Sequence, residues 1–279
     1  MRALQPAQVL SYPLNAEALG DQPNATQRLL KPLLDLVEKS DYLVGGSVGQ
    51  FLVDQSVYQI PRFIFMGPTG GGDTIRLAIF AGLHGDEAEG AEALVELLQE
   101  LEAAPQAARG FHIYAYPICN PFGFAARTRG NADGEDLAGE FWNGSSQPEV
   151  YYLERELGVL RFHGVISLQA QNHSGGFLVD TKSDILNRAL AQPAIQSAQR
   201  FMPGSILITE SDTASLRASP KPSLPDFLTV TDELIPAPFE LHVGIPKLAP
   251  RPSQIRGAVG ALKSILDTYR SLLAIAQNL

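Results

Sequence analysis

TIRLAIFAGLHGDEAEGAEALVELLQELE, residues 74–102, decides the fold. From Thr74 to Leu83 it is almost continuously apolar, with the length and content of a strand buried on both faces of a sheet. From Glu87 to Glu102 the period changes, and Ala91, Leu94, Val95, Leu98 and Leu101 recur on one side of a helix. His84-Gly-Asp-Glu87 lies between the two. A strand running directly into a helix is the repeating unit of an α/β sheet, and side chains in such turns converge on the crevice at the carboxyl ends of the strands. His84 and Glu87, three residues apart, are both metal-competent. The spacing alone suits equally an ordinary polar turn whose acidic residues favour a helix start.

Outward from this unit the alternation continues. Phe111 to Ile118 and Gly164 to Leu168 read as further strands, and 25–39, 149–160, 184–200 and 253–277 as helices. Residues 48–66 read as short strands broken at Pro61. Together they predict a three-layer α/β/α fold with a mixed, mostly parallel twisted sheet. We expect one catalytic domain over 1–279, with 1–47 as an N-terminal extension packed on it. Gly67 to Asp73 is a flexible loop, since no Gly-Lys-Ser/Thr follows it as in a phosphate loop. The proline clusters at 217–225 and 246–252 read as site-forming loops.

The chain has 279 residues, 45% hydrophobic and 18% charged, enough for a substantial core. Its formal charge of −9 argues against nucleic acid or an anionic membrane as partner and for a small-molecule or peptide substrate. No apolar run is long enough for a membrane span, the N-terminus lacks a signal-like apolar core, and the single Cys119 excludes an internal disulfide. These features point to the cytoplasm.

Five histidines can be weighed one by one. His112 and His163 sit in or beside apolar strands and read as structural. His242 lies two residues after Glu240 on a strand, so the two side chains share a face. His173 ends a strand and is followed by Ser-Gly-Gly, an open loop that suits it as partner to His84. Two imidazoles and a carboxylate, His84, Glu87 and His173, make a three-ligand zinc site with a fourth position for water. Such a site needs a nearby carboxylate to take the water's proton, and Glu240, in the apolar setting Ala237-Pro-Phe-Glu-Leu-His242, is the candidate.

These residues resemble the zinc carboxypeptidases of the funnelin type, together with the succinylglutamate desuccinylases and aspartoacylases. Five islands carry the resemblance: Gly82-Leu-His84-Gly-Asp-Glu87, Asn120-Pro-Phe-Gly-Phe124, Arg129-Gly-Asn131 to Asp136-Leu137, His173-Ser174 and Phe239-Glu240-Leu241. The resemblance implies the carboxypeptidase-like (phosphorylase/hydrolase-like) fold and one zinc ion held by His84, Glu87 and His173. It also implies Glu240 as the general base, Arg129 as the oxyanion arginine with Arg127 as its rival and a substrate-binding candidate, and Asp136 as the carboxylate that orients a ligand histidine. Cys119, beside Asn120, reads as a buried strand cysteine.

The departures bear on substrate. The family's Asp-Leu pair is followed by Asn-Arg, which grips a terminal carboxylate; here Ala138-Gly139 stands in its place. The family's mobile tyrosine is missing as well, since none lies between Tyr152 and Tyr269. A carboxylate would need another cation, with Arg127 and Arg161 as possibilities. The sequence therefore supports a zinc-dependent hydrolase of an amide bond in a peptide or peptide-like substrate. Its alternatives are a deacylase of small N-acyl amino acids and a metal-binding protein that has lost catalysis.

Overall fold

The computed structural model describes residue 14 and residues 25–171, 176–181, 184–202 and 238–277. Seven strands form one sheet: β1 (Leu43–Val53), β2 (Ser56–Met66), β3 (Ile75–Phe80), β4 (Phe111–Tyr116), β5 (Gly164–Gln171), β6 (Leu178–Asp180) and β7 (Phe239–Pro246). They lie in the order β1-β2-β4-β3-β5-β7-β6. The central β4, β3, β5 and β7 are parallel, while β1, β2 and β6 run antiparallel to their neighbours. The expected mixed α/β sheet is present, its parallel part confined to the centre.

β3 shows why the strands are apolar on both sides. Ile75, Leu77 and Ile79 enter one core with Leu94 and Leu98 of α2 (Glu89–Ala103), while Ala78 and Phe80 enter a second. The first core also takes Leu30 and Leu33 of α1 (Ala25–Val37) and Leu262 and Ile265 of the last helix, α7 (Arg251–Gln277). The second is closed by Leu153 and Leu157 of α4 (Pro148–Leu160). Between these helices stand α3 (Pro121–Ala126), and α5 (Asp184–Leu186) with α6 (Gln192–Gln199), joined by a π-helical turn.

Two expectations are corrected here. Pro61 does not break residues 48–66 into short strands: it lies inside β2, opposite the irregularity between Ser47 and Gln50 and outside the stretch Phe63–Met66 that pairs with β4. A residue without an N–H is tolerated at such a bulge. The N-terminal extension also ends earlier than residue 47, because β1 begins at Leu43 and is part of the sheet.

α2 begins two residues beyond Glu87, so the His84 to Ala88 turn is free to follow the sheet edge. Arg251, at the start of α7, holds the first turn of α2 by donating to both oxygens of Glu92, at 2.9 and 2.7 Å, and by pairing with Glu89. The turn is thus held at its helical end. Gly85 lets it pass close to α3, since a Cβ there would lie 1.9 Å from the Gly123 carbonyl carbon.

Candidate metal centre

His84 and Glu87 are both buried, 3% and 5% exposed. Glu87 Oε2 accepts the backbone N–H of Ala170 on β5 at 2.9 Å, which ties the turn after β3 to the carboxyl end of the neighbouring strand. Its other oxygen, Oε1, faces three nitrogens: His84 Nδ1 at 3.4 Å, Lys247 Nζ at 3.3 Å and Arg129 Nη1 at 3.7 Å. Burial alone would raise the Glu87 carboxyl; His84, the Ala170 N–H and Lys247 outweigh it and hold the pKa below the ordinary glutamate value.

Asp136 completes the other side. Its Oδ1 lies 3.0 Å from His84 Nε2 and accepts the Ala138 N–H at 3.1 Å, and its Oδ2 accepts Arg129 Nε–H at 3.0 Å. Burial pushes this carboxyl up, but His84, Ala138 and Arg129 together pull it below its usual range. When His84 is neutral with its hydrogen on Nε2 toward Asp136, the form in which it can ligate a metal, its Nδ1 lone pair is aimed at Glu87.

His84 Nδ1 is buried and has no hydrogen-bond partner. In the neutral form protonated on Nε2, two lone-pair-bearing atoms face each other out of water, an arrangement that a cation between them satisfies. Their 3.4 Å separation matches the distance of about 3.4 Å between two ligands on a tetrahedral zinc with bonds of about 2.0–2.1 Å. The pair therefore fits a metal ion. His173, the third expected ligand, lies outside the described residues, and among the described residues no three His, Cys, Asp or Glu side chains gather as a ligand set.

The structure brings His84, Glu87, Asp136 and Arg129 together, and it separates others from them. Glu240 is a correction. It pairs in register with Val165 near the start of β5, whereas Glu87 meets Ala170, five residues and about 17 Å further along the strand. Glu240 therefore stands toward the amino end of β7, not beside the metal pair. His242 is level with Ser167 and shares a 2.6 Å hydrogen bond with its hydroxyl. Glu89 is held by Arg251, so Asp86, Glu89 and His242 do not assemble a second metal site.

Arg127 and Arg129 take different positions. Arg127 caps α3 in the left-handed conformation and lines a groove with Arg28, Leu29 and Asp86, while Arg129 reaches Asp136 and Glu87. Arg161 precedes β5 beside Arg76, at the far edge of the sheet. Cys119 is fully buried and burial raises its thiol pKa far above the ordinary value, so it is no nucleophile. His163 accepts the Arg76 backbone N–H through Nδ1 at 3.0 Å, the structural role expected of it.

Two features escaped the sequence reading. Lys247, the residue after β7, is what that strand delivers to the metal pair, and its signal is position, one step past the strand-ending Pro246. The other is the polar row Ser167, Gln169 and Gln171, buried along one face of β5. Its signal is the period-two polar pattern within VISLQAQ, a strand otherwise apolar.

Residues 73–150 match the model of the succinylglutamate desuccinylase/aspartoacylase catalytic domain, a stretch that holds His84, Glu87, Arg129 and Asp136. No curated protein matches the chain. Among solved structures, a candidate metallopeptidase from Shewanella denitrificans shares 15% identity over 95% of this chain and 98% of its own, with a TM-score of 0.64. A metallo-carboxypeptidase from Burkholderia cenocepacia shares 13% identity over 89% and 69%, with a TM-score of 0.66. The metallo-carboxypeptidase from Pseudomonas aeruginosa, solved with (2-guanidinoethylmercapto)succinic acid, shares 16% over 89% and 69%, with a TM-score of 0.62. At these identities the structural likeness is one of fold. The first three of the five islands thus lie in a stretch that carries the desuccinylase/aspartoacylase catalytic-domain pattern, residues 73–150, and the chain takes the metallo-carboxypeptidase fold.

Proposed function

We propose that the chain is a metal-dependent hydrolase, with zinc as the metal, that cleaves an amide bond in a peptide or peptide-like substrate. One observation carries the reading: the buried, unpartnered Nδ1 of His84, turned toward Glu87 by the bond from Nε2 to Asp136. A polar atom held in that state costs free energy unless a ligand satisfies it. When bound there, the ion would polarise a substrate carbonyl and acidify a water. His173, two residues past Gln171 in the sequence, is the third ligand in this reading.

The chain's own groups supply the rest. Asp136 fixes the imidazole's tautomer and direction. Arg129, half exposed and anchored through Nε, presents its remaining N–H groups beside the metal pair, where an oxyanion forms as a carbonyl becomes tetrahedral. Glu87 turns one oxygen to the Ala170 N–H and the other, Oε1, toward His84, so Oε1 is the ligand atom in this reading.

A second reading, deacylation of small N-acyl amino acids, is favoured by the catalytic-domain match over residues 73–150. Metal analysis and a substrate screen test both. The expected result is about one equivalent of zinc in the purified protein and its loss in His84→Ala; less than about half an equivalent, unchanged by that substitution, overturns the proposal. Free-terminus peptides, blocked peptides and N-acyl amino acids then separate the two readings by which is hydrolysed.

A further inference from the structure

We infer that Lys247 is the cation that receives a carboxylate of the substrate, in place of the side-chain pair for which Ala138-Gly139 stands. The inference rests on the metal-centre reading above and assigns a specificity residue to it. Ala138 cannot take that role, since its side chain is a buried methyl and its N–H is spent on Asp136. Arg161 lies away from the metal pair, and Arg127 lines the groove beside Asp86, whereas among the described residues the lysine or arginine side chains that reach Glu87 or Asp136 are Arg129 and Lys247.

Lys247 is rigidly placed. Its N–H donates to the Gln171 carbonyl at 2.9 Å, extending the β5–β7 ladder by one step. The side-chain amide of Gln254, itself buried, donates to the carbonyls of Pro246 and Lys247 at 2.8 and 3.0 Å. A lysine stem leaving a backbone held at three points starts from a fixed origin. This preorganisation lowers the entropic cost of placing its ammonium.

The ammonium is only partly committed. Among the described residues Glu87 is the one acidic side chain it meets, at 3.3 Å to one oxygen, and the side chain is 26% exposed. An ammonium carries three donors, so this contact leaves others for a ligand. Arg129, by contrast, is bound to Asp136 and also faces Glu87. Charge points the same way. Glu87 and Asp136 are balanced by Arg129 and Lys247, so a divalent ion at the pair would leave the site about two charges positive. An ion drawing on Glu87 Oε1 would weaken the hold of that oxygen on Lys247. A substrate carboxylate lowers that excess by one and gives the ammonium a new partner, in a half-desolvated position where such pairs are strong.

Succinate, a simple dicarboxylate, is the probe, titrated by calorimetry into zinc-loaded and zinc-free protein for the wild type, Lys247→Met and Lys247→Arg. The expected result is weaker succinate binding by about tenfold or more in Lys247→Met and retention within about threefold in Lys247→Arg, with zinc stoichiometry equal in all three. If Lys247 merely neutralises Glu87, Lys247→Met tightens zinc and leaves succinate binding unchanged, which overturns the inference. Absence of succinate binding to the wild type overturns it too. A wild type that takes up no zinc defeats the metal-centre reading alone, because the zinc-free titrations still decide for or against Lys247.

Discussion

Asp136 and His84 meet at 3.0 Å through Nε2, the imidazole nitrogen that faces away from Glu87. The same carboxylate accepts from Arg129 and from the Ala138 N–H, so one side chain orients a ligand, anchors an arginine and caps the turn Leu137–Gly139. Asp136→Asn keeps the shape but loses the charge that selects the tautomer. Zinc affinity, measured by competition with a chelator, is expected to fall about 10–100-fold. Because Asp136 is near half exposed, unfolding free energy should change by less than about 1 kcal/mol, and a larger loss with unchanged zinc affinity would assign it a purely structural role.

Gly85 and Gly139 make opposite predictions for the same substitution. A Cβ on Gly85 would meet the Gly123 backbone at 1.9 Å, and the neighbour is backbone rather than the far end of a flexible side chain. Gly85→Ala should cost about 1–3 kcal/mol and shift the turn that carries both ligands, with zinc affinity falling alongside. Gly139 has open space and an ordinary φ, so Gly139→Ala should stay within about 0.5 kcal/mol of wild type. Urea denaturation with chelator titration reads both, and equal effects would show that backbone crowding does not position the ligands.

Residues 74–102 made the strand, the turn and the helix legible because burial on both faces and a change of period are local signals, and β3 and α2 follow them closely. His84, Glu87, Asp136 and Arg129 were legible too, as short motifs within one turn or one loop. Glu240 and Lys247 show where legibility stops. Both belong to β7, and which of them reaches the metal pair depends on register with β5, fixed by Val165 opposite Glu240 and Gln171 opposite Pro246. A strand's own residues do not state which end of it lies beside a distant turn. Glu240→Gln is accordingly expected to leave zinc affinity within about twofold of wild type, since Glu240 stands opposite Val165, about 17 Å along β5 from the Glu87 contact at Ala170, and distant substitutions act independently; a tenfold fall would contradict the register.

Arg62 on β2 and Glu156 on α4 form an ion pair at 2.6 Å with both side chains 3% exposed, and Tyr116 of β4 donates to the same Glu156 oxygen at 2.9 Å. The pair ties α4 to the sheet. Removing one partner strands a buried charge, so Arg62→Met or Glu156→Leu alone should cost about 3–5 kcal/mol, while the double variant should recover most of that loss. Urea midpoints of the four proteins close the cycle. A double variant as unstable as the sum of the singles would mean that the pair is held by more than mutual neutralisation.

His163 gives a pH dependence whose sign follows from its surroundings. Burial, helped by the Arg76 guanidinium, lowers its pKa below the ordinary histidine value of 6.5, and its Nδ1 must stay unprotonated to accept the Arg76 N–H. For a base whose folded pKa is depressed, the unfolded chain takes up protons first. The stability contribution is therefore complete above pH 6.5 and is lost as pH falls from there through the folded pKa. His112, also lowered by burial and Arg76, adds in the same direction. Glu87 and Asp136, held below their ordinary values of 4.5 and 3.8, act in a separate, more acid window. His163→Asn places a side-chain oxygen near the Arg76 N–H without a titrating group. Urea midpoints of chelated protein between about pH 7.5 and about pH 5 should fall less steeply for this variant than for the wild type. Parallel slopes would remove His163 from the acid sensitivity and leave His112 to account for it.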